Sequence, residues 1–556
     1  MCGITFSLCP YLSSLGSAIA SPSALHTSLA ESNSSRGPDS SNTHRAMINL
    51  NGTKQLELQL TSSVLGLRGS LTAQPIVGET GVLAWNGQVF DGLDVNKGEN
   101  DTRVIFEQLE SGVSFEDVLS RIEGPYACVW YSRNDQTISF QVDPLSRRSL
   151  LLALPTPTSP ILALSSTRSA YERENGTEMR ALLGGEGGTV YLDRVTVDEQ
   201  GAMNIDQALE MRPYLPGPST YLTRQTRVHP INTTLPPSDS IPSETFARDE
   251  VEHFERELLA AVKSRIENIP APEPGNARVA VLFSGGVDCT LLASMMHQCL
   301  PANEPVELVN VAFQRLPSDQ SAAVSGRTEI ATEYDTPDRL SGYEALTELG
   351  KACEGREWRF VEVNVTYEEY HEHRQRIVDL MYPATTEMDL SLAYPLYFAS
   401  RGIGTLDGVP YTVKSKVYIS GLGADEQLGG YARHRHAYTS LSFPGLLSSL
   451  QTDISQLPTR NTSRDDRLLS SFARDARYPY LSLAFIRYLS EVPIWHKVHY
   501  ESGEGWGDKI LLRMAAERAG LEGTARRVKR AMQFGSRSAK VGGGVKGKAA
   551  GTRKIE

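Results

Sequence analysis

No C-x-x-C pair occurs among the six cysteines, which stand at 2, 9, 128, 289, 299 and 353. That scatter excludes a zinc ribbon and a small disulfide scaffold, and it predicts free thiols in a reducing, cytoplasmic setting. No apolar run approaches the roughly 18 residues a membrane helix needs, so no spanning segment and no membrane partner is expected. Basic charge is also short. The 55 Lys and Arg against 66 Asp and Glu leave a formal charge of −11 at pH 7, which argues against nucleic acid as a partner, because phosphate contacts need a net basic face. No Lys or Arg precedes Arg36, so the Ser-, Ala- and Leu-rich stretch 5–29 lacks both the basic n-region of a secretory leader and the arginines of a transit peptide.

What is present suits a multi-domain enzyme. A chain of 556 residues is too long for one hydrophobic core, so two to four domains are expected. From 56 to about 192 the chain runs in short apolar or alternating segments (82–85, 128–131, 138–142, 150–154 and 161–164) between Gly, Pro, Asn and Asp, the pattern of a sheet-rich domain. Prolines at 213, 216, 218, 230, 236, 237 and 242 suit an extended connector over 212–244. Val251, Phe254, Leu258, Val262 and Ile266 then recur at three- and four-residue steps and predict a helix over 245–269 that opens a second domain, 245–535. Within it, apolar strands at 279–283, 306–313, 360–365 and 417–420 alternate with helical patterns, which predicts a doubly wound parallel sheet with ligands at the carboxyl ends of its strands. Residues 317–334 are polar and aperiodic and read as a surface insertion. The tail 536–556, with three consecutive glycines and six Lys or Arg, lacks the apolar content to fold.

Two loops carry the chemistry of the second domain. The strand ending at Phe283 runs directly into Ser284-Gly285-Gly286-Val287-Asp288-Cys289-Thr290. A glycine turn between strand and helix lets backbone amides approach an anion, and Asp288 is placed to hold Mg²⁺ against phosphate oxygens. The Gly-Lys-Ser/Thr ending of a Walker loop is missing. A second strand opens into Ser420-Gly421-Leu422-Gly423-Ala424-Asp425-Glu426, followed by Gly429-Gly430-Tyr431. Carboxylates on two strand-end loops can share one magnesium.

The amino end carries a different chemistry. Removal of Met1 would leave Cys2 with a free α-amine of low pKa, able to serve as base for its own thiol. Trp85-Asn86-Gly87-Gln88-Val89-Phe90 then offers an Asn side chain and a Gly amide for an oxyanion hole.

These elements occur in an order that resembles the glutamine-hydrolysing asparagine synthetase family, in particular its asparagine synthetase domain-containing subgroup. Residues 420–431 are similar to its S-G-x-G-x-D-E…G-G-Y segment, Arg477-Tyr-Pro-Tyr-Leu481 to R-x-P-F-L, Lys509-Ile-Leu-Leu-Arg513 to K-x-x-L-R, and Lys529 to Gly535 to K-x-x-x-x-F-G. In the first domain, Arg36-Gly-Pro-Asp39, Leu67-Arg68 with Gln74-Pro75, the Asn86-Gly87 element, Asp101, Glu123 to Ala127 and Val142 to Leu145 match in turn. The resemblance implies an α/β multi-domain architecture. Residues 1–211 would form a class II glutamine amidotransferase of Ntn-type αββα layering, followed by the ATP-pyrophosphatase domain.

It also implies roles. Cys2 is the nucleophile, Asn86 and Gly87 form the oxyanion hole, Arg68 pairs with the glutamine carboxylate and Asp101 with its amine. Leu282, Ser284, Gly285, Gly286, Asp288, Cys289, Ser420 and Gly421 line ATP, Asp288 and Asp425 bind Mg²⁺, and Lys529 neutralises charge at the transferring phosphate. Ammonia freed from glutamine would attack an acyl-adenylate made from ATP and a carboxylic acid, by resemblance aspartate. A homodimer is compatible with the sequence. Departures are visible. Gln88 stands for the family's Glu, Asp101-Thr-Arg-Val for D-x-E-V, Gln141 for an Arg, and Leu422 for the glutamate that in active synthetases lies beside the acyl-adenylate. They keep two other readings open: a pseudoenzyme that binds ATP or glutamine as a sensor or scaffold, and an amidotransferase for a different acid. A tRNA-thiolating pyrophosphatase ranks last, for want of paired catalytic cysteines and a basic surface.

Overall fold

The computed structural model describes residues 2–11, 22–50, 54–212, 228–236, 248–315, 333–541 and 553–555. Most of the proline-rich connector, residues 12–21 of the leader-like stretch, 245–247 of the expected helix, 317–332 of the insertion and 542–552 of the tail lie outside the described residues. The chain groups into two compact units, 1–228 with 379–384 and 457–473, and 229–378 with 385–456 and 474–556.

Two six-stranded antiparallel sheets build the first unit. One orders Arg180–Ala181, Leu151–Ala153, Leu162–Ser165, Cys2–Tyr11, Gln55–Val64 and Ser40–Asn49. The other orders Leu209–Arg212, Gly187–Tyr191, Thr137–Val142, Tyr126–Ser132, Gly81–Gly87 and Ile76–Val77. Strand alternation sorts the side chains. Ile4, Phe6 and Leu8 join Val82, Ala84, Val129 and Phe140 of the other sheet in one core. The opposite face of the first sheet packs Cys9, Leu151 and Ala163 on Leu25 and Leu29 of the helix Pro22–Ser34. That of the second packs Leu83, Trp85 and Trp130 on the helices Asp101–Glu110 and Phe115–Arg121. The layers therefore run helix, sheet, sheet, helix. The sheet-rich pattern of 56–192 is realised here, and the stretch beginning at Cys2 is a buried strand.

The segment 457–473, which the sequence places within 245–535, groups with this unit. All eight residues of its helix Ser463–Ser470 are buried. Asp466 accepts from Arg36 Nη2 at 2.8 Å and from the Ser149 amide at 3.0 Å, while Arg467 donates to Ser149 Oγ at 2.8 Å. Buried pairs of this kind hold the segment because removing one partner would strand the other charge away from water.

In the second unit the helix Arg248–Ile266 buries Val251, Phe254, Leu258, Val262 and Ile266, the face its periodicity predicts. Five parallel strands follow the order Trp358–Val365, Val306–Phe313, Val279–Leu282, Val417–Ile419 and Asp475–Arg477. A hairpin of Ile403–Leu406 and Val409–Thr412 adds antiparallel to the edge beside Trp358–Val365. In chain order the parallel strands read 3-2-1-4-5. The direction of winding thus reverses between Val279–Leu282 and Val417–Ile419, which opens a crevice at their carboxyl ends.

Candidate functional site

In the first unit the strand Cys2–Tyr11 pairs with Gln55–Val64 so that Cys2 lies opposite Val64. The Cys2 amide donates to Asn86 Oδ1 at 2.9 Å. Asn86 is fully buried at the end of the strand Gly81–Gly87, and its Nδ2 has no hydrogen-bond partner among the described residues. A buried amide that spends its oxygen on the cysteine backbone and leaves its N–H₂ free is a donor awaiting an acceptor, because such a group otherwise carries a desolvation penalty of about 1–3 kcal/mol. The glycine at 87 is required by space: a Cβ there would sit 2.6 Å from the Pro125 carbonyl and 2.8 Å from the Trp85 ring. Burial pushes the Cys2 thiol upward, while Arg36 and the Leu65 amide work the other way.

Arg68 and Asp101 stand 4.0 Å apart, both buried. Arg68 donates to the Val89 carbonyl, and to that of Val95 at 3.3 Å. Asp101 accepts from the Val89 amide at 2.9 Å, and burial raises its carboxyl, against the pull of the Val89 amide and Arg68. One residue is drawn to Cys2 to which the sequence reading gave no role. Gln74 Nε2 lies 3.3 Å from Cys2 Sγ.

At the crevice of the second unit, Val279–Leu282 leads through Ser284 to Gly286 into the helix Val287–Cys299, whose first turn has no side-chain cap. Gly285 has φ +76°, a left-handed conformation that favours glycine, and a Cβ there would press to 2.3 Å on the Ser341 carbonyl. Ser284 Oγ accepts from the Gly286 amide at 3.3 Å, and Cys289 Sγ donates to the Gly286 carbonyl at 3.3 Å. On the neighbouring loop Ser420 Oγ accepts from the Leu422 amide at 3.3 Å. The two loops touch where Gly421 passes Asp288, since a Cβ on Gly421 would lie 3.1 Å from that of Asp288.

Asp288 and Asp425 are joined by lysines. Lys509 Nζ donates to Asp288 Oδ1 and Oδ2 at 2.7 and 2.9 Å and to Asp425 Oδ1 at 2.8 Å. Lys529 Nζ lies 2.5 Å from Asp425 Oδ2 and 3.7 Å from Asp288 Oδ2. Burial alone would raise the Asp425 carboxyl, but Lys509 and Lys529 outweigh it and hold it well below the usual carboxylate range. Gly430 admits this geometry, because a Cβ there would fall 2.0 Å from Asp425 Oδ1. Among the described residues no group of three or more His, Cys, Asp or Glu gathers as a metal cage. Two carboxylates are a set that fits Mg²⁺, which keeps water and phosphate oxygens as its remaining ligands.

The asparagine synthase family model matches residues 254–457. Asparagine synthetase domain-containing protein 1 of Mus musculus is 31% identical over 592 residues, which span 91% of this chain and 92% of the mouse protein. The chain belongs to this family. An asparagine synthetase domain-containing protein of Saccharomyces cerevisiae is likewise 31% identical, over 91% of this chain and 87% of its own length. The solved structure of glutamine phosphoribosylpyrophosphate amidotransferase from B. subtilis covers 59% of the chain and 68% of its own at 14% identity, with a TM-score of 0.27, a likeness too slight to bear on the fold.

Within this family member, Lys509 had a sequence signal, the K-x-x-L-R match, but no role read from it. The structure shows it fully buried, with a backbone φ of +55° that a lysine adopts at a cost of roughly 1–3 kcal/mol. Its three bonds to two carboxylates explain why that cost is tolerated. Arg513 of the same motif bonds Asp508 at 2.6 Å and the Ala525 and Arg527 carbonyls at 2.7 and 2.9 Å, while Arg527 donates to the Gly285 carbonyl. It therefore positions the loop that grips the glycine turn. Arg477 pairs with Asp475 at 2.8 Å. Tyr480, from the same motif, donates to the Asp288 carbonyl at 3.0 Å.

Asp338 gave no sequence signal. It lies buried at the start of the helix Pro337–Ala352, and Gly535 of the K-x-x-x-x-F-G match packs against it, so that a Cβ there would meet Oδ1 at 2.0 Å. Burial pushes its carboxyl up from 3.8 to about 7, against the pull of Arg530 and Lys529. Between those two values the folded protein keeps a proton that the unfolded chain has released, so this group's contribution to stability falls as pH rises through the window. Asp338→Asn cannot titrate. Its melting temperature relative to wild type should therefore climb between about pH 4 and about pH 7, and a difference that stays flat across the range would contradict the shift.

Proposed function

We propose that this protein is a glutamine- and ATP-dependent amidotransferase resembling asparagine synthetase. In the first unit, Ntn-type in this reading, the Cys2 thiolate adds to the glutamine side-chain carbonyl, the developing oxyanion faces Asn86 Nδ2, and ammonia leaves. Water then cleaves the thioester to glutamate. Met1 removal supplies the α-amine that accepts the thiol proton. Arg68 and Asp101 hold the glutamine carboxylate and amine.

In the second unit a carboxylic acid attacks the α-phosphorus of ATP and pyrophosphate leaves. Ammonia then attacks the acyl carbon, and AMP departs. The amides of the turn 284–286 and the residues Leu282, Cys289, Ser420 and Gly421 cradle the nucleotide, and Lys529 faces the phosphates. Mg²⁺ would be held by Asp288 and Asp425 and would neutralise phosphate charge. The observation that most supports the reading is the Asp288–Lys509–Asp425 bridge at the strand crevice. The test is a reaction with glutamine and ATP over a panel of carboxylic acids, followed for AMP and pyrophosphate. Release of ADP instead would defeat it.

Leu422 supports a narrower statement about the acceptor. A leucine can neither accept the proton that attacking ammonia must lose nor bind a charged group. Loss of a general base costs about 10²- to 10⁴-fold, so adenylation persists while amide formation from aspartate is slow. Leu422→Glu is expected to raise the asparagine yield in an assay that leaves pyrophosphate release nearly unchanged. Wild-type protein that makes asparagine from aspartate as fast as an authentic synthetase would refute the weakened site. A pseudoenzyme is the second reading, favoured by Leu422 and Gln88. It predicts ligand binding with no AMP from any acid.

A further inference from the structure

Gln74 is buried beside Cys2 with its side-chain amide fully committed. Oε1 accepts from the Trp85 backbone amide at 2.7 Å. Because that backbone group can only donate, the orientation of the Gln74 amide is fixed and Nε2 must face the other way. There it has two neighbours, Cys2 Sγ at 3.3 Å and Thr102 Oγ1 at 3.4 Å. Trp85 immediately precedes Asn86, which accepts from the Cys2 amide at 2.9 Å. A single strand end therefore grips the nucleophile twice, at its backbone through Asn86 and at its sulfur through Gln74.

We propose that Gln74 is a positioning residue for Cys2, donating from Nε2 to Sγ so that the sulfur is held beside Asn86 as a thiolate. A donor aimed at sulfur favours the charged form, which burial at this position opposes. Among the other groups that act on the sulfur, Asp101 works against the thiolate, whereas Arg36, the chain's amino end and the Leu65 amide work for it. Gln74 also bonds the strand that carries Asn86, through the Trp85 amide, so it sets both the charge and the place of the sulfur. The inference rests on the glutaminase reading for its catalytic meaning but not for its test.

The test is alkylation of Cys2 by iodoacetamide in the full-length chain, followed by peptide mass spectrometry as a function of pH. Gln74→Leu should move the midpoint of Cys2 labelling up by about one pH unit, since a hydrogen bond to a charged group is removed. Gln74→Glu keeps the acceptor for the Trp85 amide but turns an oxygen toward the sulfur, so its midpoint should rise further, and it serves if the leucine variant folds poorly. Thr102→Val leaves the sulfur contact intact and should hold the midpoint within about 0.3 units of wild type. An unchanged midpoint in both Gln74 variants overturns the proposal. So does a Thr102→Val shift as large as that of Gln74→Leu, or a wild-type Cys2 that stays unlabelled throughout. A midpoint that shifts in a protein that hydrolyses no glutamine supports the positioning role and defeats the glutaminase reading instead.

Discussion

Cys2→Ala is expected to lower glutamine hydrolysis by about 10³-fold or more, because the covalent route disappears with the nucleophile. The substitution removes one buried sulfur from a strand whose other nine residues keep their pairing with Gln55–Val64 and Leu162–Ser165, so the unit should still fold. If ammonia from glutamine is the nitrogen source, amide synthesis should survive when an ammonium salt replaces glutamine. The companion variant Asn86→Ala isolates the oxyanion donor. It retains Cys2, yet loses both the acceptor for the Cys2 amide and the unpartnered Nδ2, and should cost about 10²- to 10³-fold in kcat. Steady-state glutamate release from glutamine, together with amide formed from glutamine and from an ammonium salt, measures both. Equal loss with glutamine and with ammonia would mean that the strand end supports the fold and not the chemistry. Amino-terminal sequencing that finds Met1 retained in an active protein would remove the α-amine from the mechanism.

Asp425→Asn is expected to abolish ATP cleavage to AMP and pyrophosphate while leaving glutaminase activity in place, and Asp288→Asn should behave alike. A metal's stabilisation of transition-state phosphate charge is worth several kcal/mol, and each 1.4 kcal/mol is a factor of ten, so a loss of about 10³-fold or more is anticipated. Asp425 accepts from Lys509 and pairs with Lys529. Its neutralisation leaves buried Lys509 with Asp288 as its remaining carboxylate, a change that destabilises buried ion pairs by about 3–5 kcal/mol. Melting of the second unit should therefore move down in Asp425→Asn more than in Asp288→Asn, whose side chain is less buried and whose loss leaves Lys509 and Lys529 both on Asp425. Radiolabelled pyrophosphate exchange separates the effects, because a folding defect can be offset by lower temperature and a lost metal ligand cannot. Exchange that persists at low temperature at the wild-type rate would take the metal away from these carboxylates.

Local sequence carried the strands whose partners are decided by hydrophobic pattern. Val279–Leu282, Val306–Phe313, Trp358–Val365 and Val417–Ile419 fall on the predicted apolar runs to within about two residues. The strand Asp475–Arg477 and the hairpin Ile403–Leu406 with Val409–Thr412 had no such signal. The first is three residues long and contains an ion pair. The second lies at a sheet edge, where half its side chains face water and no alternation is enforced. Asp338 was invisible for a related reason: a single carboxylate at a helix start reads as a cap, and its burial involves Gly535, which packs against it from nearly two hundred residues away.

By itself the sequence determined the chemical inventory: a cysteine at position 2, an Asn-Gly at a strand end, two carboxylate loops following apolar strands, and basic residues spaced along the C-terminal segment. These are properties of residue type and short-range spacing, which a chain displays without folding. Tertiary structure alone decided which of them meet. The 3-2-1-4-5 strand order places the loops of Asp288 and Asp425 side by side. A strained Lys509 bridges them, Gln74 turns its amide nitrogen to Cys2, and the segment 457–473 joins the first unit through Asp466. Each of these contacts joins residues far apart in the chain, and their energies depend on burial and on the absence of water, quantities that no local pattern encodes.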